Sequence, residues 1–397
     1  MPNTTNIAII AGARTPIGRY CGKLRDFTAQ ELAAIASKEA IKRSGMEPKE
    51  FDHAVFGNAQ QTSGDSIYGA RHVALKAGLP IEVPALTVNR LCGSGMQSMV
   101  SGAQMIQLGE ARTVLAGGME SMSQAPHVIR GARWGFGLGE GKMEDSLMVA
   151  LLDTYCGLYM AQTAEEYGNQ HGITREQMDE FSLRSQKLAG EAQQACRLGE
   201  EITPVPLVNR KGQPTGERFE KDDHLRPETT MEGLAKLKPA FAKDGFVTAG
   251  NASGIVDGAA MVVVTHADNA KNKKPLGRIV SWGIAGCDPD IMGIGPVPST
   301  KIALRKAGMS LNDIDLIEIN EAFAGQILAV AKELGIDMEK LNVNGGAIAL
   351  GHPLAASGTR LVITLLYELR RRQKKFGLAS ACIGGGQGIA MIVESLA

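Results

Sequence analysis

The chain has 397 residues, 44% hydrophobic and 21% charged, the composition of a globular protein too long for one ordinary domain. Lysine plus arginine (42) balance aspartate plus glutamate (42), so no net field draws the protein to nucleic acid or to an anionic membrane surface. No apolar stretch is long enough to span a bilayer, and PNTTNIAIIAGART lacks the charged start and long apolar run of a secretory signal, so a soluble, cytoplasmic protein is expected.

In chain order, IKRSGMEPKEFDHAVFGN (Ile41 to Asn58) predicts the end of a helix, a Gly-Met stop, an acidic link and an apolar strand. PALTVNRL is strand-like, and beyond Cys92 the residues Met96, Met99, Val100, Ala103 and Ile106 fall at helical spacing. Cys92 therefore stands at a helix N-terminus, where the dipole and free amides stabilise a thiolate and lower the thiol pKa. That makes it a candidate nucleophile. From Gln124 to Lys243 the chain turns polar and charged, with helical periodicity only in parts. GNASGIVDGAAMVVVTH (Gly250 to His266) then returns to turn, helix and apolar-strand signals, so the polar stretch is expected to be an insertion, suited to covering a substrate.

LRKAGMSLNDIDLIEINE (Leu304 to Glu321) repeats the first pattern, and Asn320 ends its strand ahead of a helix; alone it suits a helix cap equally well. LGHPLAASG holds His352 between glycine and proline with small side chains following. The run RRRQKK closes the apolar-periodic TRLVITLLYEL, where cations favour a helix C-terminus, so it is not read as a nucleic-acid site. In LASACIGGGQGIAMIVESL, Cys382 lies where a strand enters a glycine loop that returns as a hairpin. A phosphate cradle would lead into a helix instead. Consecutive glycines let backbone amides approach a ligand, as an oxyanion hole requires. The cysteines contain no C-x-x-C pair, which argues against a zinc site or a disulfide framework.

One constant offset relates Gly45 to Gly308, Asp52 to Asp315 and Ser94-Gly95 to Ser357-Gly358. The chain is thus two related α/β halves, and LCGSGMQS in one lies opposite HPLAASGT in the other. Two helix starts would meet at one crevice, with Cys92 on one side and His352 on the other.

Taken together, NRLCGSGMQ, GGMESMS, VTAGNASG, NEAFAG, NGGAIALGHP and CIGGGQG resemble the thiolase family, and the likeness runs from AGARTPIG to the last strand. The resemblance implies a five-layered α-β-α-β-α fold of two duplicated halves, residues 1–122 plus 249–272 and residues 273–397, with a loop domain inserted at 123–248. It implies reversible Claisen condensation of acyl-CoA with acetyl-CoA, or thiolysis of a 3-ketoacyl-CoA, through an acyl-cysteine. Coenzyme A thioesters are then the substrates, no metal or other cofactor is needed, and a homodimer or homotetramer is expected. By motif, Cys92 matches the acylated nucleophile, His352 its base, and Cys382 the thiol that exchanges the α-proton. Asn320 matches the residue that holds a water beside His352, and the amides of Cys92 and Gly384 match an oxyanion hole. Arg226, Met160, Ser253, Ala322 and Phe323 match CoA-contacting positions. Ala355, Val256, Phe246 and Tyr159-Met160-Ala161 depart from residues common in the family and are expected to alter the acyl pocket and its surroundings. A broad or degradative 3-ketoacyl-CoA thiolase competes with a biosynthetic acetoacetyl-CoA enzyme. Outside the family, a cysteine hydrolase using Cys92, His352 and Asn320 leaves Cys382 idle, and a non-catalytic CoA-binding protein leaves all four groups idle.

Overall fold

The computed structural model describes residues 7–209, 212–271 and 273–396. The outermost residues of the expected halves, 1–6 and 397, and the junction residue 272 lie outside the described residues. The first half supplies β1 (Ile7–Arg14), α1 (Ala29–Ser44), β2 (His53–Gly57), α2 (Gly69–Ala77), β3 (Ala85–Val88), α3 (Ser94–Leu108) and β4 (Thr113–Ser121). The chain then leaves this block for two short hairpins, α4 (Met160–Gln170), α5 (Arg175–Gln194) and a third hairpin (Val205–Val208 with Pro214–Phe219). It re-enters the block through β5 (Val256–His266). The second half comprises β6 (Gly277–Gly286), α6 (Pro296–Ala307), β7 (Leu316–Ile319), α7 (Ala324–Leu334), α8 (Leu354–Arg371), β8 (Phe376–Ile383) and β9 (Gln387–Ser395).

Strand order is β7-β8-β9-β6-β1-β5-β4-β2-β3. At the centre, among the described residues, β1 pairs with β6 only through Ala8 with Arg278 and Ile9 with Gly277, so the path is two sheets joined at a short seam. Side chains alternate across each sheet and sort into layers. Val262 and Val264 of β5 face a core shared by Met96 and Met99 of α3, Leu361 and Leu365 of α8, and Met391 of β9. Met261 and Val263 face α1 instead, through Leu32 and Ala36. On the far side Ile317, Leu378 and Ile392 pack against Ile327 and Val330 of α7. The result is α-β-α-β-α, with α3 and α8 as the central layer.

The repeat is visible in hydrogen bonds. Asp52 accepts from the amides of Arg112 and Thr113 at 2.7 and 2.9 Å, and Asp315 accepts from those of Lys375 and Phe376 at 3.0 and 2.9 Å. Gly45 and Gly308 end α1 and α6 with φ of 61° and 66°. The repeat-related Gly95 and Gly358 lie where α3 and α8 cross: a methyl on Gly95 would come within 2.5 Å of the Ala355 carbonyl, and one on Gly358 within 2.7 Å of the Met96 amide. The helix expected within Gly250 to His266 is absent. Gly258-Ala259-Ala260 has helical composition, but it forms a strand between β1 and β4, where pairing on both sides decides its conformation.

The insertion is fastened from below. Buried Arg14 at the end of β1 binds Glu201 through Nε at 2.7 Å and Asp222 through both terminal nitrogens at 2.7 and 2.9 Å. A bidentate pair of this kind fixes orientation as well as distance.

Candidate active site

Cys92 sits in a single 3-10 turn, Leu91–Gly93, that runs straight into α3. Leu91 takes φ of +44°, a strained region for a side chain with a Cβ. The turn is held by the Leu91 amide on Asn89 Oδ1 at 2.9 Å and by Ser94 Oγ, which donates to the Leu91 carbonyl at 2.7 Å. This aims the sulfur at Gly384, whose amide donates to it.

The Cys92 thiol does not have the lowered pKa expected from its helix terminus. Burial pushes it up to about 11; the Gly384 and Cys92 amides pull the other way without reversing this, and Glu120 adds a smaller push upward. The loss of water around sulfur exceeds what the dipole and amides return.

His352 lies between the short helix Ala347–Leu350 and α8, its amide bound to the Gly254 carbonyl at 3.0 Å. Nδ1 is 2.6 Å from Ser357 Oγ, and that hydroxyl donates to the Pro353 carbonyl at 3.3 Å. With its proton so engaged, Ser357 accepts from Nδ1–H, which makes Nε2 the acceptor of the ring. Asn320 Nδ2 faces Nε2 at 3.4 Å. Burial, with a smaller contribution from Arg360, lowers the imidazole to about 3, so it is neutral at pH 7.

Asn320 is fully buried just past β7, its amide on the Ser380 carbonyl at 2.9 Å. Cys382 is buried near the end of β8, packed with Met292 and Ala322, and burial, then Cys92, raise its thiol well above the ordinary value. The Gly384–Gly386 loop turns β8 back into β9 with φ near 79° and 77° at Gly385 and Gly386. The hairpin read from sequence is present.

A cavity of about 500 Å³ connects these groups. Cys92, His352, Cys382 and Gly384 line it, as do all five positions matched to CoA contacts: Met160, Arg226, Ser253, Ala322 and Phe323. Asn320 reaches it through His352. The Ser253 amide donates to the Ala322 carbonyl at 3.0 Å, tying the chain's return from the insertion to the segment after Asn320. Among the departures, Met160 lines the cavity, and Tyr159 reaches it through Phe241, ring centroids 5.9 Å apart. Val256 packs beside Gly351 instead, Phe246 lies with the α7 core, and Ala355 is wholly buried away from the cavity. Among the described residues no group of three or more His, Cys, Asp or Glu could hold a metal ion.

Two groups here carry no motif of their own. His224, from the polar insertion, lines the cavity with Nδ1 3.0 Å from the Ala349 carbonyl. Glu120, on β4, is wholly buried and accepts four N–H groups. Its place within GGMESMS was the only signal.

Residues 7–268 match the thiolase N-terminal domain and residues 273–395 the thiolase C-terminal domain. The human mitochondrial 3-ketoacyl-CoA thiolase is 52% identical over 394 residues, covering 98% of each chain, and an acetyl-CoA acetyltransferase of Cupriavidus necator is 48% identical over 393 residues, covering 98% of this chain and 99% of that one. The crystal structure of the human enzyme in complex with CoA superposes with a TM-score of 0.95 at 51% identity, covering 98% of each chain. These relatives correct the expected cytoplasmic location: the human, Pongo abelii and Bos taurus proteins, all 52% identical, are named mitochondrial. Neutral charge and a lack of membrane-spanning character do not separate one aqueous compartment from another. The chain belongs to the thiolase family and is an acyltransferase.

Proposed function

We propose that the protein cleaves 3-ketoacyl-CoA with CoA, and runs the reverse condensation, using Cys92, His352, Cys382, Asn320 and Gly384, with no metal or other cofactor. The observation that carries the reading is two neutral thiols and a neutral imidazole on one cavity with a backbone amide aimed at the first sulfur. In the condensing direction Cys92 gives its proton to His352 Nε2 as sulfur attacks the thioester carbonyl, whose oxygen is held by the Cys92 and Gly384 amides. The departing CoA sulfur takes the Cys382 proton. An imidazolium and a thiolate remain, each offsetting the other's charge.

The Cys382 thiolate next removes the α-proton of acetyl-CoA, and its high proton affinity narrows the gap to so weak a carbon acid. The enolate oxygen is held by the Nε2 proton and by a water that Asn320 positions beside His352. Attack on the acyl group frees the Cys92 sulfur, which recovers its proton from His352. Every group ends as it began. Arg226, Met160, Ser253, Ala322 and Phe323 hold the CoA arm in the cavity. The human 3-ketoacyl-CoA thiolase at 52% against the acetyltransferase at 48% favours longer 3-ketoacyl esters, and no activity on them would reject that preference.

Assembly as a homodimer or homotetramer is part of the proposal. Strand β3 ends the sheet path with Leu86 exposed, and Tyr68 and Ile81 are exposed nearby in sequence. Sedimentation equilibrium giving a monomer at micromolar concentration would reject it.

The chemistry is tested by intact mass after brief exposure to acetyl-CoA. One acetyl group is expected on the wild type and on Cys382→Ala, and none on Cys92→Ala. Acetylation of Cys92→Ala, or a wild type that binds CoA but stays unmodified, would overturn the assignment.

A further inference from the structure

Glu120 is wholly buried and forms no ion pair among the described residues, an expensive state for a carboxylate. Its compensation is four N–H groups: Oε1 accepts from Asn58 Nδ2 and the Gln60 amide, both at 3.0 Å, and Oε2 from the amides of Ala59 at 3.2 Å and Ala355 at 3.0 Å. Three of these come from the turn after β2 in the first half. The fourth is in the first turn of α8 in the second half.

Helix α8 begins two residues after His352, runs 18 residues, and has no side-chain cap of its own. Burial pushes the Glu120 carboxyl up to about 7 against the pull of these N–H groups, and its Oε2 supplies that cap from another strand at the positive end of the helix. The same face of β4 grips the other end of the Ala355 peptide, because a methyl on Gly118, two residues earlier, would come within 1.9 Å of the Ala355 carbonyl. Held at both ends, Ala355 fixes the turn that carries Ser357, the partner of His352 Nδ1. On the other side the Ala59 carbonyl accepts from Asn89 Nδ2 at 3.2 Å, and Asn89 Oδ1 holds the Leu91 amide beside Cys92.

We propose that Glu120 is a positioning residue that sets the spacing of Cys92 and His352 by holding the first turn of α8 and the turn after β2 on one carboxylate. The proposal rests on the reading of Cys92 as nucleophile and His352 as its base. Glutamine at this position keeps the shape but turns one end of the group into a donor facing two N–H donors. Aspartate keeps the charge and falls a methylene short.

The test is single-turnover acetylation of Cys92 with acetyl-CoA, followed by intact mass, together with steady-state kcat and KM. Glu120→Gln is expected to slow acetylation at least 30-fold with KM within threefold of the wild type, and Glu120→Asp to recover part of the rate. Should Glu120→Gln fail to fold, Asn58→Ala removes a single donor and is expected to slow acetylation three- to tenfold. An unacylated wild type would reject the functional reading itself. With an acylated wild type, a variant that melts lower but keeps its rate, or one that loses only KM, would overturn the positioning role.

Discussion

Alkylation of Cys92 by iodoacetamide as a function of pH separates two pictures of the resting site. In one, the thiol and imidazole already exist as a thiolate-imidazolium pair. In the other they are both neutral, and charge arises only as substrate is attacked. The structure favours the second, with Cys92 at about 11 and His352 at about 3. A thiol at about 11 is ionised to roughly one part in ten thousand at pH 7, about a hundredfold less than a thiol at 9. Alkylation located at Cys92 by peptide mass should therefore rise about tenfold per pH unit from pH 6 through 9 without a plateau. His352→Gln should leave that profile unchanged, since the imidazole is not a counter-ion at rest. The same substitution should slow acetylation by acetyl-CoA by about 10²–10⁴, the usual value of a general base. A plateau in alkylation between pH 5 and 8 that disappears in His352→Gln would refute the reasoning.

Three further outcomes are expected. Because Ala355 is buried away from the cavity, Ala355→Gly should change kcat/KM for acetoacetyl-CoA and for longer 3-ketoacyl-CoAs in the same proportion and cost under about 1 kcal/mol as a helix residue; a fivefold change in chain-length preference would restore the expectation drawn from sequence. Arg14→Ala strands Glu201 and Asp222 as buried carboxylates, at a cost of about 3–5 kcal/mol. For 397 residues that is a Tm drop of about 4–6 °C by calorimetry, and an unchanged Tm would contradict it. His352 is held below its ordinary 6.5, so the native chain refuses a proton that the unfolded chain accepts. Its contribution is complete above pH 6.5 and is lost as pH falls toward 3, about 2 kcal/mol by pH 5. The Tm gap between His352→Asn and the wild type should therefore shift in favour of the variant between pH 7.5 and 5, and a constant gap would refute the assignment.

The reacting groups were legible because each sits at a local signal: Cys92 before a helical period, His352 between glycine and proline, Cys382 before a glycine hairpin. The duplication was legible because Asp52 and Asp315 do the same work on equivalent strands. What sequence concealed is tertiary. The thiol pKa was inferred from the helix terminus alone, and burial by distant segments reversed its direction. Glu120 looks like an ordinary polar strand residue because three of its four donors are main-chain amides, which leave no mark on residue types. His224 lies in a polar insertion whose docking no local period encodes.

Duplication also explains why small side chains crowd around one histidine. Two related helix starts can share a crevice only if their main chains approach closely, and the repeat-related Gly95 and Gly358 are the points of approach. The two starts then serve opposite electrical ends. The first leads out of the turn that carries Cys92, whose sulfur draws on its own amide and that of Gly384; the second spends the Ala355 amide on Glu120, so one free N–H of the positive end of α8 is already engaged close to His352. Left bare, that end would oppose protonation of an imidazole already pushed down by burial, in the step where it must take a proton from Cys92. A symmetric pair of helices thus becomes an asymmetric pair of sites, one built to receive negative charge and one relieved of positive charge.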